Sequence, residues 1–140
     1  MKALLGASAC VAVFFFNAAR SEEVGKHYDG VWTTVLSCGN TNGALGYSFK
    51  FPSTVRSGEL HGEKGTKDKA GWLQIDGKIA SDGSAQLYVD GLVGAAQFAV
   101  GQRPAGTEYG YHVNAKFSDT SGTGNRVEGR PCTATFTKGK

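Results

Sequence analysis

Alternation of apolar and polar residues is the feature that most limits what this chain can fold into. In Leu45-Gly-Tyr-Ser-Phe-Lys-Phe51 the odd positions are all apolar, and Leu73-Gln-Ile-Asp-Gly-Lys-Ile79 and Ala85-Gln-Leu-Tyr-Val-Asp-Gly91 repeat that phase. Tyr109-Gly-Tyr-His-Val-Asn-Ala-Lys-Phe117 is the longest example, and Cys132-Thr-Ala-Thr-Phe136 sets an apolar face against Thr133, Thr135 and Thr137. A period of two belongs to strands that bury one face and wet the other, as antiparallel sheets do. The richest helical stretch, Val93–Val100, is short and bounded by Gly94 and Gly101. Turn signals at Gly39–Gly43, Ser57-Gly58, Asp90-Gly91 and Pro104–Gly106 divide the chain into about eight short strands with connections too short for parallel crossovers. The expected fold is all-β, an antiparallel meander that curls into a closed or nearly closed barrel, because closure removes exposed edges.

One hairpin fixes its own register. Residues directly opposite must share a face, so Ile75 should lie against Val89 and Ile79 against Ala85. A two-residue Asp82-Gly83 loop breaks that rule, whereas a three-residue loop, Ser81-Asp82-Gly83, satisfies it. That loop is a type I turn followed by glycine in a left-handed bulge position. The same register sets Asp76 against Tyr88 and Trp72 against Leu92 on the outer face.

The first residues read differently. Met1-Lys2 is a short positive start, Ala3–Phe16 is a continuous apolar run, and small residues at Asn17–Ser21 precede Glu22-Glu23. That order is a secretory signal peptide over residues 1–21, with cleavage after Ala19 or after Ser21. Cys10 is ordinary filler, since the apolar run continues beyond it. A flexible N-terminal segment, 22–27, then leads into a single β domain, 28–140. The expected address is exported, periplasmic or extracellular.

Export bears on the two remaining cysteines, Cys38 and Cys132. In an oxidising compartment an even pair reads first as a disulfide, the alternatives being a metal site or two free thiols. No histidine lies near either in sequence. Cys38 ends the first strand and Cys132 opens the last, so a bridge demands that those strands meet.

Charge and motif bound the function. The full chain has 15 basic and 12 acidic residues, +3 formally; loss of Lys2 and, if cleavage follows Arg20, of Arg20 leaves 13 against 12. A near-neutral domain lacks the basic footprint of nucleic-acid binding. Lys64-Gly-Thr-Lys67-Asp-Lys69, the densest basic run, reads as a solvated hairpin tip. His27, His61 and His112 are scattered, with no metal-type spacing, and no Gly-x-Ser-x-Gly elbow is present. Asp76 with Asp90, or Glu59 with Glu63, lack any feature that separates them from solubilising charges. Gly122-Thr-Gly124, within the polar loop Ser118–Asn125, lacks the lysine and helix of a phosphate loop and reads as a turn. No enzyme, cofactor or metal is expected.

Aromatics remain. Tyr47, Phe49, Phe51, Tyr109, Tyr111 and Phe117 should line the barrel interior, as packing alone requires. Trp72 and Tyr88 fall on the polar face. They either form an exposed patch with Leu92 or are covered by the segment 93–107.

Two resemblances follow from short motifs. Gly30-Val31-Trp32 at the opening of strand one resembles the calycin barrels (lipocalins, avidins and relatives), and the likeness implies an arginine, Arg126 or Arg130, packed over the Trp32 indole. Tyr28-Asp-Gly-Val-Trp-Thr33 with Arg126-Val-Glu-Gly-Arg-Pro-Cys132, together with Leu60–Glu63 and Asp76–Ile79, resembles a family of small exported proteins of Gram-negative bacteria. That likeness spans the mature chain and implies export and a compact β fold of uncharacterised role.

The first expectation for function is therefore a non-enzymatic binding module of the cell envelope, monomeric and without a membrane span after processing. It would hold a small apolar ligand or a protein partner. The alternatives are a periplasmic proteinase inhibitor of calycin type, which would insert Ser21–His27 into an enzyme, and a structural envelope protein. A cavity of a few hundred cubic ångströms favours the first.

Overall fold

The structure is a computed structural model and describes residues 24–140. The leader, its cleavage site and Cys10 lie outside the described residues. Eight antiparallel strands form one closed barrel in chain order: β1 (Gly30–Cys38), β2 (Tyr47–Arg56), β3 (Glu59–Lys64), β4 (Leu73–Lys78), β5 (Ser84–Leu92), β6 (Glu108–Phe117), β7 (Ser121–Arg126) and β8 (Cys132–Lys138). Every strand pairs with its sequence neighbour, and β8 returns to β1. Cys38 and Cys132 are direct partners in that closing ladder, with Cα atoms 4.2 Å apart, and they form a disulfide.

The alternation resolves as expected. Trp32, Thr34, Leu36 and Cys38 all point inward from β1, and Phe136 and Ala134 face them from β8. Leu60, Ile75, Leu87, Val89 and Val113 complete a solid centre. Apolar side chains inside and threonine, lysine and glutamine outside reverse the pattern of a barrel that spans lipid. The buried hydroxyls of Thr34 and Ser53 satisfy each other across β1 and β2 at 2.7 Å.

The β4–β5 hairpin has the three-residue loop read from its faces. Ile75 opposes Val89, Asp76 opposes Tyr88, Ile79 opposes Ala85, and the Leu92 N–H donates to the Trp72 carbonyl. Gly83 takes φ +89°, and a side chain there would strike the Phe117 carbonyl at 2.1 Å. The bulge position thus requires glycine twice over, for backbone angle and for space.

Four expectations need correction. Residues 121–126 form β7, not a loop: Gly122 and Gly124 are inward positions, left without side chains because the Phe117 ring and Val113 fill that space. A β-carbon at either would come within 2.8 Å of those side chains. Leu45 precedes β2 and is about half exposed, since the Leu45 N–H is taken by the Gln97 carbonyl, not by a ladder. The segment before residue 28 is fastened from Val24 onward. Val24 bridges Ala80, the Gly25 N–H donates to Ile79, and a 3-10 turn over Lys26–Tyr28 buries Tyr28. Finally, neither Arg126 nor Arg130 covers Trp32. Both precede β8, which starts beside Cys38, whereas Trp32 lies at the far end of β1 opposite Lys138; it is Lys138 whose Nζ sits 5.9 Å from the indole centre.

The barrel's two ends therefore differ. Tight connections, Ser57-Gly58 and Ser81–Gly83, and the Tyr28 plug close the Trp32 end. The Trp32 indole N–H donates to the Tyr28 carbonyl at 2.8 Å, locking plug to wall. All the long connections, 39–46, 65–72 and 93–107, gather at the Cys38 end.

Candidate functional site

The long connection 93–107 leaves β5 and returns to β6. β5 and β1 are four strands apart in an eight-stranded barrel, hence on opposite walls. Yet the Gln97 carbonyl accepts from the Leu45 N–H at 2.8 Å, and the Gln102 side chain donates to the Gly43 carbonyl at 3.3 Å, both beyond the end of β1. The connection accordingly spans the mouth. A second short 3-10 turn, Ala96–Phe98, lies within it.

Arg130 anchors this span. Its guanidinium donates to the Phe98 carbonyl at 2.7 Å, to Gly39 at 2.6 Å and to Leu45 at 3.2 Å. One side chain thus ties the spanning segment to the β1–β2 loop, beside the disulfide. Arg130 is only 8% exposed, and its Nε–H has no partner among the described residues. Leaving a buried donor unpaired is costly, and the three carbonyl bonds of the same guanidinium offset that cost.

Between the spanning segment and the packed core lies a cavity of about 350 Å3. Its walls are aromatic: Tyr47 and Phe49 from β2, Tyr109 from β6, and Phe98 from above, the last edge-on to Tyr47 at 6.4 Å. Leu92, Val93, Ala95, Ala99 and Val100 add aliphatic surface. Of the six aromatics expected inside the barrel, Phe51, Tyr111 and Phe117 are core, whereas Tyr47, Phe49 and Tyr109 sit one rung nearer the opening and line the cavity. Burial pushes the Tyr47 and Tyr109 phenols up, with Arg130 and Arg126 opposing at Tyr47; both stay neutral donors.

Four cations frame the same cavity: Lys64, Arg103, Arg126 and Arg130. No lining residue is acidic, and none of the four forms an ion pair among the described residues. The Lys64 Nζ lies 4.1 Å from the Phe49 ring centre and the Arg126 guanidinium 4.0 Å from that of Tyr111. Lys64 is thus half-buried and not part of a solvated tip; the exposed stretch begins beyond it and includes Lys67 and Lys69.

The expected outer-face patch is not assembled. Trp72 is buried, its indole N–H donating to Glu63 at 2.6 Å, and Leu92 lines the cavity. Tyr88 alone stays exposed, next to His112. Across that face His61 pairs with Asp76 at 2.6 Å and His112 pairs with Glu128. The His112 backbone N–H, its ring and its charge hold the Glu128 carboxyl below its usual range. Among the described residues no group of three or more histidine, cysteine or carboxylate side chains is arranged to hold a metal ion.

A second concavity, about 410 Å3 along Ile79, Ala80, Ser84 and Asn114, is more open and has no aromatic wall. Sequence reasoning missed the mouth cavity because its walls come from widely separated stretches of the chain. The one available signal was the length of 93–107. Comparison with family models, curated proteins and solved structures gives no match to this chain.

Proposed function

We propose that the mature chain is an exported, non-enzymatic binding module that holds a small, largely apolar ligand in the cavity at the barrel mouth. The observation that carries this is the cavity itself, aromatic-walled and of ligand size, set above a core already filled by side chains. A preformed site on a rigid barrel needs little ordering on binding, which favours affinity for small molecules. Export is supported by the leader-like residues 1–21 and the exported-family motifs, and the disulfide is compatible with an oxidising compartment. The inhibitor alternative draws less support, because the segment it would insert is turned back onto Ala80 from Val24.

The test uses the uncharged fluorescent dye phenylnaphthylamine with protein recovered from cells. The dye should bind, and Ala99→Trp, which fills the cavity from the spanning segment, should weaken binding by about tenfold or more while leaving the circular dichroism unchanged. Dye binding unaffected by that substitution contradicts the assignment. The N-terminal residue of the same preparation reports whether the leader has been removed; an intact Met1 overturns export by this route.

A further inference from the structure

Resting on that reading of the mouth cavity, we infer that its ligand is an amphipathic anion, with an apolar body against Tyr47, Phe49 and Phe98 and an acidic group met by Lys64 and Arg103. The case is one of charge complementarity. A near-neutral mature chain places four of its cations around one cavity and no carboxylate among the lining residues. A surface of mixed sign is the ordinary arrangement for a soluble domain, and elsewhere on this barrel Lys78 lies beside Glu59.

The donors also differ in how far they are committed. Arg130 is used structurally, on three carbonyls. Arg126 spends its Nε–H on the Glu128 carbonyl and stacks on Tyr111. Lys64 and Arg103 make no hydrogen bond to protein among the described residues, so their N–H groups can serve a carboxylate, sulfonate or phosphate group. Lys64 approaches from β3 and Arg103 from the spanning segment. An uncharged ligand would leave this concentration of positive charge facing apolar atoms.

Two dyes of one skeleton separate the charge from the greasy body: phenylnaphthylamine, uncharged, and its sulfonated counterpart, anilinonaphthalene sulfonate. At low ionic strength the sulfonate should bind at least about tenfold tighter. Raising salt to about 0.5 M should erase most of that advantage without loosening the neutral dye. The double substitution Lys64→Gln with Arg103→Gln should bring the two dyes within about threefold of each other, again by weakening only the sulfonate. Equal affinities in the unaltered protein, or a preference that survives both salt and substitution, overturn the anion assignment and leave the cavity reading standing. If neither dye binds in a manner sensitive to Ala99→Trp, the cavity reading itself falls.

Discussion

Removing the Cys38–Cys132 bridge, by Cys38→Ala with Cys132→Ala, is expected to cost about 4 kcal/mol of stability and to lower the melting temperature by more than about 10 °C. The bridge joins residues 94 apart in sequence, most of the described chain. In the chain-entropy account a loop of that size constrains the unfolded state by about 4–5 kcal/mol. It also sits on the seam: β1 and β8 are the two ends of the meander, and their pairing closes the barrel. The seven paired positions of the seam ladder remain in the variant, from Trp32 opposite Lys138 to Cys38 opposite Cys132, so the topology should survive with an earlier transition. Alanine is the fair substitute because both cysteines are buried and a serine hydroxyl would need a partner. Thermal unfolding by circular dichroism checks this. A melting point within a few degrees of the oxidised protein's would mean that the strand ladder alone closes the barrel.

Trp32→Ala is expected to be comparably damaging, about 3–5 kcal/mol by urea unfolding. The residue is fully buried, meets the Phe117 ring edge-on at 5.5 Å, and holds the Tyr28 plug through its indole N–H. Trp32→Phe should separate the two contributions. It keeps an aromatic ring in the core, smaller than the indole, and leaves the Tyr28 carbonyl without its donor, for a loss of about 1–3 kcal/mol. If phenylalanine proves as costly as alanine, the hydrogen bond to the plug dominates; if alanine costs under about 1 kcal/mol, the sealed end does not depend on Trp32 and the closure described above is wrong.

What the sequence disclosed follows from how local each signal is. The β4–β5 hairpin was readable to the residue because turn type, face alternation and register are all set within Leu73–Gly91. The cysteine pair was readable because an even pair in a chain with a leader-like start points first to a disulfide, and a bridge from the end of β1 to the start of β8 requires those strands to meet. β7 was hidden: Ser-Gly-Thr-Gly is loop-like until Phe117 and Val113, on the neighbouring strand, are seen to occupy the space its side chains would need. The arginines were assigned to the wrong end since a motif near β8 does not say which end of a nine-residue β1 it faces; the antiparallel register does. Lys64 looked like part of a charge run, and only the path of β3 toward the mouth separates it from Lys67. The cavity was the least legible element. Its floor is strand, its roof is a connection without regular periodicity, and what joins them is Arg130 reaching three carbonyls that no pattern links.

The central claim, that ligands enter at the Cys38 end and not at the plugged end, is tested most directly by amide chemical-shift mapping during titration with anilinonaphthalene sulfonate. The expected result is a contiguous set of perturbed amides at Lys64, Leu92–Arg103 and Tyr109, with Tyr28, Trp32 and Gly83 unmoved. Shifts centred on the Tyr28 plug, or spread evenly over the outer faces of the strands, would contradict it.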